Sequence, residues 1–250
     1  MMVLGRAFGI PIRVDRSWFI SFALVASSLA LVYFPRALPA PPVVHWAWGV
    51  GCALLLFVSL VAHELAHALT AQRYGIRVES ITLRLLGGVS QMVEEPSTPR
   101  AELLTAAAGP VMSFALAGMA FGARAVAGGP VSLLVLFGYV GAANLVIAVF
   151  NLLPGYPLDG GRLVRANLWA WRGSFDWATR VASMIGRVTG LMLAGFGAAN
   201  AAAGGELISG LWLVVVGIFV HQSARAAGRL AEIRERPAPV EVEQIEERVA

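Results

Sequence analysis

Apolar residues gather into six stretches, at about 17–34, 46–71, 101–126, 131–153, 181–203 and 207–223, and the short segments between them hold most of the prolines and charges. Each stretch is long enough to cross about 30 Å of hydrocarbon as a helix. The pattern therefore predicts an all-α polytopic membrane protein with about six transmembrane helices. Gly118-x-x-x-Gly122 and Gly186-x-x-x-Gly190 predict close helix approach within the bundle.

Between the second and third stretches the period changes. Val78, Ile81, Leu83 and Leu85 alternate in part, β-branched residues are enriched, and Gly87-Gly88 marks a turn or a close backbone approach. A small β-hairpin at the membrane edge and an irregular amphipathic loop are both open readings of this segment. The prolines at 35, 39, 41 and 42 make a short stiff external connection.

Charge adds orientation. All 19 basic residues are arginines, and they crowd into alternate connections: Arg6, Arg13 and Arg16 before the first span, Arg73 to Arg100 after the second, Arg162 to Arg180 after the fourth, and Arg225 to Arg236 after the sixth. By the positive-inside rule both termini are cytoplasmic, which predicts a multi-pass protein of the cell membrane. Arginines scattered between apolar spans make no face that follows phosphates, so nucleic acid is not an expected partner. A single cysteine, Cys52, excludes an intramolecular disulfide and a cysteine-rich metal site. Residues 1–230 read as one six-span domain. Residues 231–250, with Glu241, Glu243, Glu246 and Glu247, read as a short acidic cytoplasmic tail or a truncated linker.

One constellation carries chemistry. His63-Glu64-Leu65-Ala66-His67 lies inside the second span, and a helix puts residues four apart on one face, so both imidazoles can grip one metal ion. A charge at membrane depth costs about 2.5–3.5 kcal/mol and is functional by default; a buried Glu–His pair or a proton relay is the bland alternative. Catalytic zinc needs a third protein ligand. His45 stands about 26 Å from His63 along the same helix and is excluded. Asp159 is favoured, because spans two and four run in the same direction and their inner ends share one side of the membrane. The prolines and glycines around Asp159 predict a broken helix and a tight turn. His221, at the inner end of span six, stays open as the ligand.

His63-Glu64-Leu65-Ala66-His67, Gly87-Gly88-Val89, Ala108-Gly109-Pro110 and Asn151-x-x-Pro154-x-x-Pro157-Leu158-Asp159-Gly160-Gly161 resemble, in this order, the motifs of the site-2 protease family of intramembrane zinc metalloproteases. Gly9 to Asp15 resembles the prokaryotic branch, and the similarity covers about residues 5–230. The resemblance implies one Zn2+ per chain bound by His63, His67 and Asp159, Glu64 as catalytic base, and Asn151 as an aid to the oxyanion or substrate, with Gly87 and Gly88 as further candidates. It also implies a single-span membrane protein as substrate, similar to anti-sigma factors, cut in or near its transmembrane segment by zinc-activated water. An exposed strand edge near 77–93 is expected to hold the unwound segment. Many relatives continue into a pair of cystathionine-β-synthase-type modules, so nucleotide regulation is not carried over to residues 231–250. The competing class is a non-enzymatic membrane metal-binding protein or ion carrier using the same cluster. That class explains the buried ligands but not a glutamate adjoining the first histidine.

Overall fold

The computed structural model describes residues 1–84, 87–126, 129–205 and 207–235. The chain forms two compact units that divide after Leu153.

The first unit opens with strands β1 (Met2–Ala7) and β2 (Ile10–Val14) and then helix α1 (Arg16–Ser28), which runs through a π-helical turn, Leu29–Tyr33, into the short α2 (Phe34–Ala37). Asp15 starts α1: its carboxylate accepts from the Ser17 backbone N–H at 3.0 Å and from the Ser17 hydroxyl at 2.8 Å. These two donors satisfy groups that a helix start leaves open and hold the Asp15 carboxyl below its ordinary range. Helix α3 (Pro42–Arg73) begins with Pro42, whose missing N–H would have no partner in a first turn. Strands β3 (Val78–Arg84) and β4 (Gly87–Met92) follow, then α4 (Pro99–Val126) and α5 (Val131–Asn151). Helix α3 is central, packing on α1, α4, α5 and both later strands.

The hairpin reading of residues 77–93 holds, within a larger sheet than local pattern suggests. Four strands lie in the order β1-β2-β3-β4. β2 pairs with β3 in parallel, Ile12 against Ile81 and Val14 against Leu83. A parallel partner this distant in sequence leaves no mark in the periodicity of either strand. Ile10 and Ile81 pack on Ala68, flanked by Leu65 and Leu69, so the sheet rests on the C-terminal part of α3.

The second unit holds α6 (Asp159–Arg172), α7 (Phe175–Ala202) and α8 (Leu207–Glu235). The helix break that the prolines and glycines predict spans residues 152–158, and a new helix starts on Asp159 itself: Leu158 is its N-cap and Gly160-Gly161 enter the first turn of α6. This helix is amphipathic and short, ending on Gly173 at φ +74°, the left-handed conformation that glycine adopts without penalty. Helix α7 begins six residues before its apolar stretch because Ser174 caps it, accepting from the Trp177 N–H. Helix α8 continues through 231–235, and the rest of the expected acidic tail lies outside the described residues.

Six helices among the described residues are long and apolar enough to cross a membrane: Arg16–Ala37, Pro42–Arg73, Pro99–Val126, Val131–Asn151, Phe175–Ala202 and Leu207–Arg234. The two glycine pairs differ. A methyl group at Gly190 would stand 2.6 Å from the Gly217 carbonyl oxygen, whereas one at Gly118 or Gly122 would meet nothing within 4 Å. Close approach is therefore made in the α7–α8 pair and not at Gly118 and Gly122 of α4.

Candidate metal centre

His63 and His67 lie on the buried side of α3, each 3% exposed. Their rings meet edge to face and their Nε2 atoms stand 3.1 Å apart. Helix α4 holds the other edge of both rings: His67 Nδ1 donates to the Thr105 carbonyl at 2.6 Å, and His63 Nδ1 lies 2.9 Å from the Ser113 hydroxyl. A carbonyl only accepts, so His67 carries its proton on Nδ1 and, when neutral, presents a lone pair at Nε2.

This arrangement fits a cation. Between the two rings comes Gly109, where a methyl group would overlap His67 Nε2 and stand 2.5 Å from His63 Nε2. The missing side chain keeps free the volume toward which both donors point. Two imidazoles with a carboxylate form the donor set of catalytic zinc. Pro110 follows at once inside α4 and lacks the N–H that would bond the Ala106 carbonyl.

Glu64, one residue round the helix, is half-buried. Gly88 of β4 approaches it so closely that a methyl there would lie 2.5 Å from Glu64 Cγ. Of the two readings of Gly87-Gly88, close backbone approach is the one realised, since both residues pair within the β3–β4 ladder.

Asp159 belongs to the second unit. It is 8% exposed in the first turn of α6. The loop before it is held from α7: the Tyr156 N–H donates to the Ala182 carbonyl at 3.2 Å, and the Thr189 hydroxyl donates to the Pro154 carbonyl at 2.6 Å. Arg165, 6% exposed, places its guanidinium over the rings of Tyr156 and Phe175 at 5.1 and 4.6 Å.

The remaining candidates have plainer settings. Asn151 ends α5 with its amide donating to the Ile147 carbonyl at 3.0 Å. His45 donates to the Leu38 carbonyl at the start of α3, and His221, mid-way along α8, donates to the Arg187 carbonyl of α7. Cys52 is wholly buried among Ala26, Phe34 and Ala53.

Sequence reasoning missed Thr105 and Ser113, and also Asn144, which is buried and donates to Ser59 Oγ at 3.0 Å one turn from His63. Their signal was available: Thr105, Gly109 and Ser113 recur every four residues, putting small and polar groups on one face of an apolar helix.

The profile of peptidase family M50 matches residues 51–129 and 119–193. The chain belongs to this family. Among its relatives in M50, Rip3 of Mycobacterium tuberculosis, named as a zinc metalloprotease, is 43% identical over 226 residues, covering 89% of this chain and 57% of that protein. The protein sll0528 of Synechocystis sp., named likewise, is 36% identical over 242 residues, covering 93% of this chain and 61% of its own. The chain thus spans about three fifths of the length of these curated relatives. Its fold matches the solved site-2 protease from Methanocaldococcus jannaschii with a TM-score of 0.62 at 29% identity, covering 96% of this chain and 97% of that one. With six apolar helices and this kinship, the M50 member is a multi-pass membrane protein.

Proposed function

We propose that this chain is an intramembrane zinc endopeptidase that cuts single-span membrane proteins in or near their transmembrane segment. The observation that carries the reading is the buried His63–His67 pair with both Nε2 atoms converging on the side-chain-free face of Gly109. His63, His67 and Asp159, all buried, would hold one zinc ion. A carboxylate this buried is retained only against a cation or strong donors, which supports Asp159 over His221. Zinc, when bound, supplies the Lewis acidity that makes water a nucleophile at neutral pH and polarises a carbonyl.

The chain's own groups do the rest. Glu64 accepts the proton of the attacking water and returns it to the leaving amine. Gly88, having no side chain, leaves the room that the Glu64 side chain occupies against β4. Asn151 would serve the oxyanion or substrate after turning its amide from the Ile147 carbonyl. β4 ends the sheet, so its outer edge can accept an extended substrate segment as a further strand. The arginine pattern orients both termini and the site toward the cytoplasm of the cell membrane, and substrates similar to anti-sigma factors suit that geometry.

Two substitutions test this. Glu64→Gln should abolish cleavage of a purified single-span substrate in detergent while zinc content, measured by mass spectrometry, stays at one per chain. Unchanged turnover refutes the base. Asp159→Ala should lower zinc content, and full retention returns the third-ligand role to His221.

A further inference from the structure

We infer that α4 is a working wall of the metal site: Ser113 is a positioning residue that orients the His63 imidazole, and Gly109 reserves the cation's position by having no side chain. The inference rests on the zinc reading above. His63 and His67 are four residues apart on α3; Ser113 and Thr105 are eight apart on α4, with Gly109 midway. The helices thus set His63 opposite Ser113 and His67 opposite Thr105. Both rings are gripped at Nδ1 from one helix, and both turn Nε2 toward the middle of that same helix, where Gly109 offers only backbone.

Each contact has a separate consequence. The Thr105 carbonyl fixes the proton of His67 on Nδ1 and cannot be removed by a side-chain change. The Ser113 hydroxyl holds the His63 ring at Nδ1; a hydroxyl can donate or accept, and with Nε2 given to a cation the proton is on Nδ1 and the hydroxyl accepts it, which keeps the ring from rotating. Ser113 is wholly buried, so its hydroxyl has no water to turn to. Partners of this kind change metal affinity about 10- to 100-fold when removed. Gly109 acts by volume instead: a methyl group there would press on both Nε2 atoms, in the space a cation bound by them would need.

The test compares purified full-length chains in detergent for zinc affinity, by chelator competition, and for the visible spectrum of the cobalt-substituted protein. Ser113→Ala should bind zinc about 10-fold or more weakly and shift the cobalt spectrum, and Ser113→Thr, which keeps the hydroxyl, should restore both. Gly109→Ala should lose zinc on desalting, whereas Gly118→Ala, on the same helix facing open space, should keep it. Metal-free Ser113→Ala should melt only slightly below the parent, for one lost buried hydrogen bond, with a loss of stability smaller than its loss of zinc affinity. Zinc affinity within twofold of the parent in Ser113→Ala, or zinc retained by Gly109→Ala, overturns the inference. So does a Ser113→Ala chain whose loss of affinity is matched by an equal loss of metal-free stability, which marks a packing role. A parent chain that takes up no zinc at all instead removes the metalloprotease reading itself.

Discussion

His63 and His67 stand on one regular helix and are held through their rings, whereas Asp159 stands at the start of a helix whose approach is held through its backbone. In the first region the fixing atoms are a hydroxyl and a carbonyl on α4. In the second they are glycines. Gly155, at φ +125°, lies against Gly186 of α7, so close that a methyl group on Gly155 would stand 2.6 Å from the Gly186 nitrogen; one on Gly161 would overlap the Gly155–Tyr156 peptide. Three residues without side chains let the Pro154–Pro157 loop pass between the first turn of α6 and α7. The difference reflects the two kinds of element. A helix already directs residues four apart to one side and needs only ring orientation, while a break in the chain must have its path specified atom by atom.

The comparison predicts that the path of the loop before Asp159 is lost by gaining a methyl group, whereas the orientation of the His63 ring is lost by removing a hydroxyl. The largest effect should come from Gly186→Ala, whose methyl would overlap the Tyr156 carbonyl oxygen. Backbone cannot yield as a side chain can, so destabilisation at or above the about 1–3 kcal/mol of ordinary overpacking is expected, with zinc content falling in parallel. A Gly186→Ala chain that melts and binds zinc as the parent does would break the contrast.

Arg165→Lys should come next. It keeps the charge but loses the planar face that lies over Tyr156 and Phe175, for a loss of about 1 kcal/mol in thermal unfolding. A zinc affinity unchanged beside that loss would sharpen the contrast, by showing that the aromatic stack steadies α6 without reaching Asp159.

The smallest effect belongs to Asp15, which caps α1 and touches neither region. Its folded pKa lies below the ordinary 3.8, so its contribution is present above that pH and is lost as pH falls through the lowered folded value. The difference in melting temperature between the parent and Asp15→Ala should be constant near neutrality and shrink in acid. A difference that grows on acidification would reverse the assigned sign.

Much of this molecule was legible from local periodicity. The six apolar spans and the four-residue spacing of the histidines each show within a window of a few helical turns, where backbone geometry alone relates position to direction. The β3–β4 hairpin was half legible, because Gly87 and Gly88 could mark either a turn or a close approach, and the contact with Glu64 is what separates the two. The break before Asp159 was legible but the start of α6 on that residue was not, since proline and glycine signal an interruption without saying on which residue the next helix begins.

What stayed out of reach were the meetings between distant parts of the chain. Ser113 lies 50 residues from His63, and the Thr105 carbonyl 38 residues from His67. Parallel pairing of Ile12 with Ile81 spans further still. No short-range preference selects such partners; burial and close packing select them together, once the helices have come into contact. A metal site depends on both kinds of information, because spacing along one helix brings two donors to the same side while packing against another decides which way each ring turns and whether space is left between them.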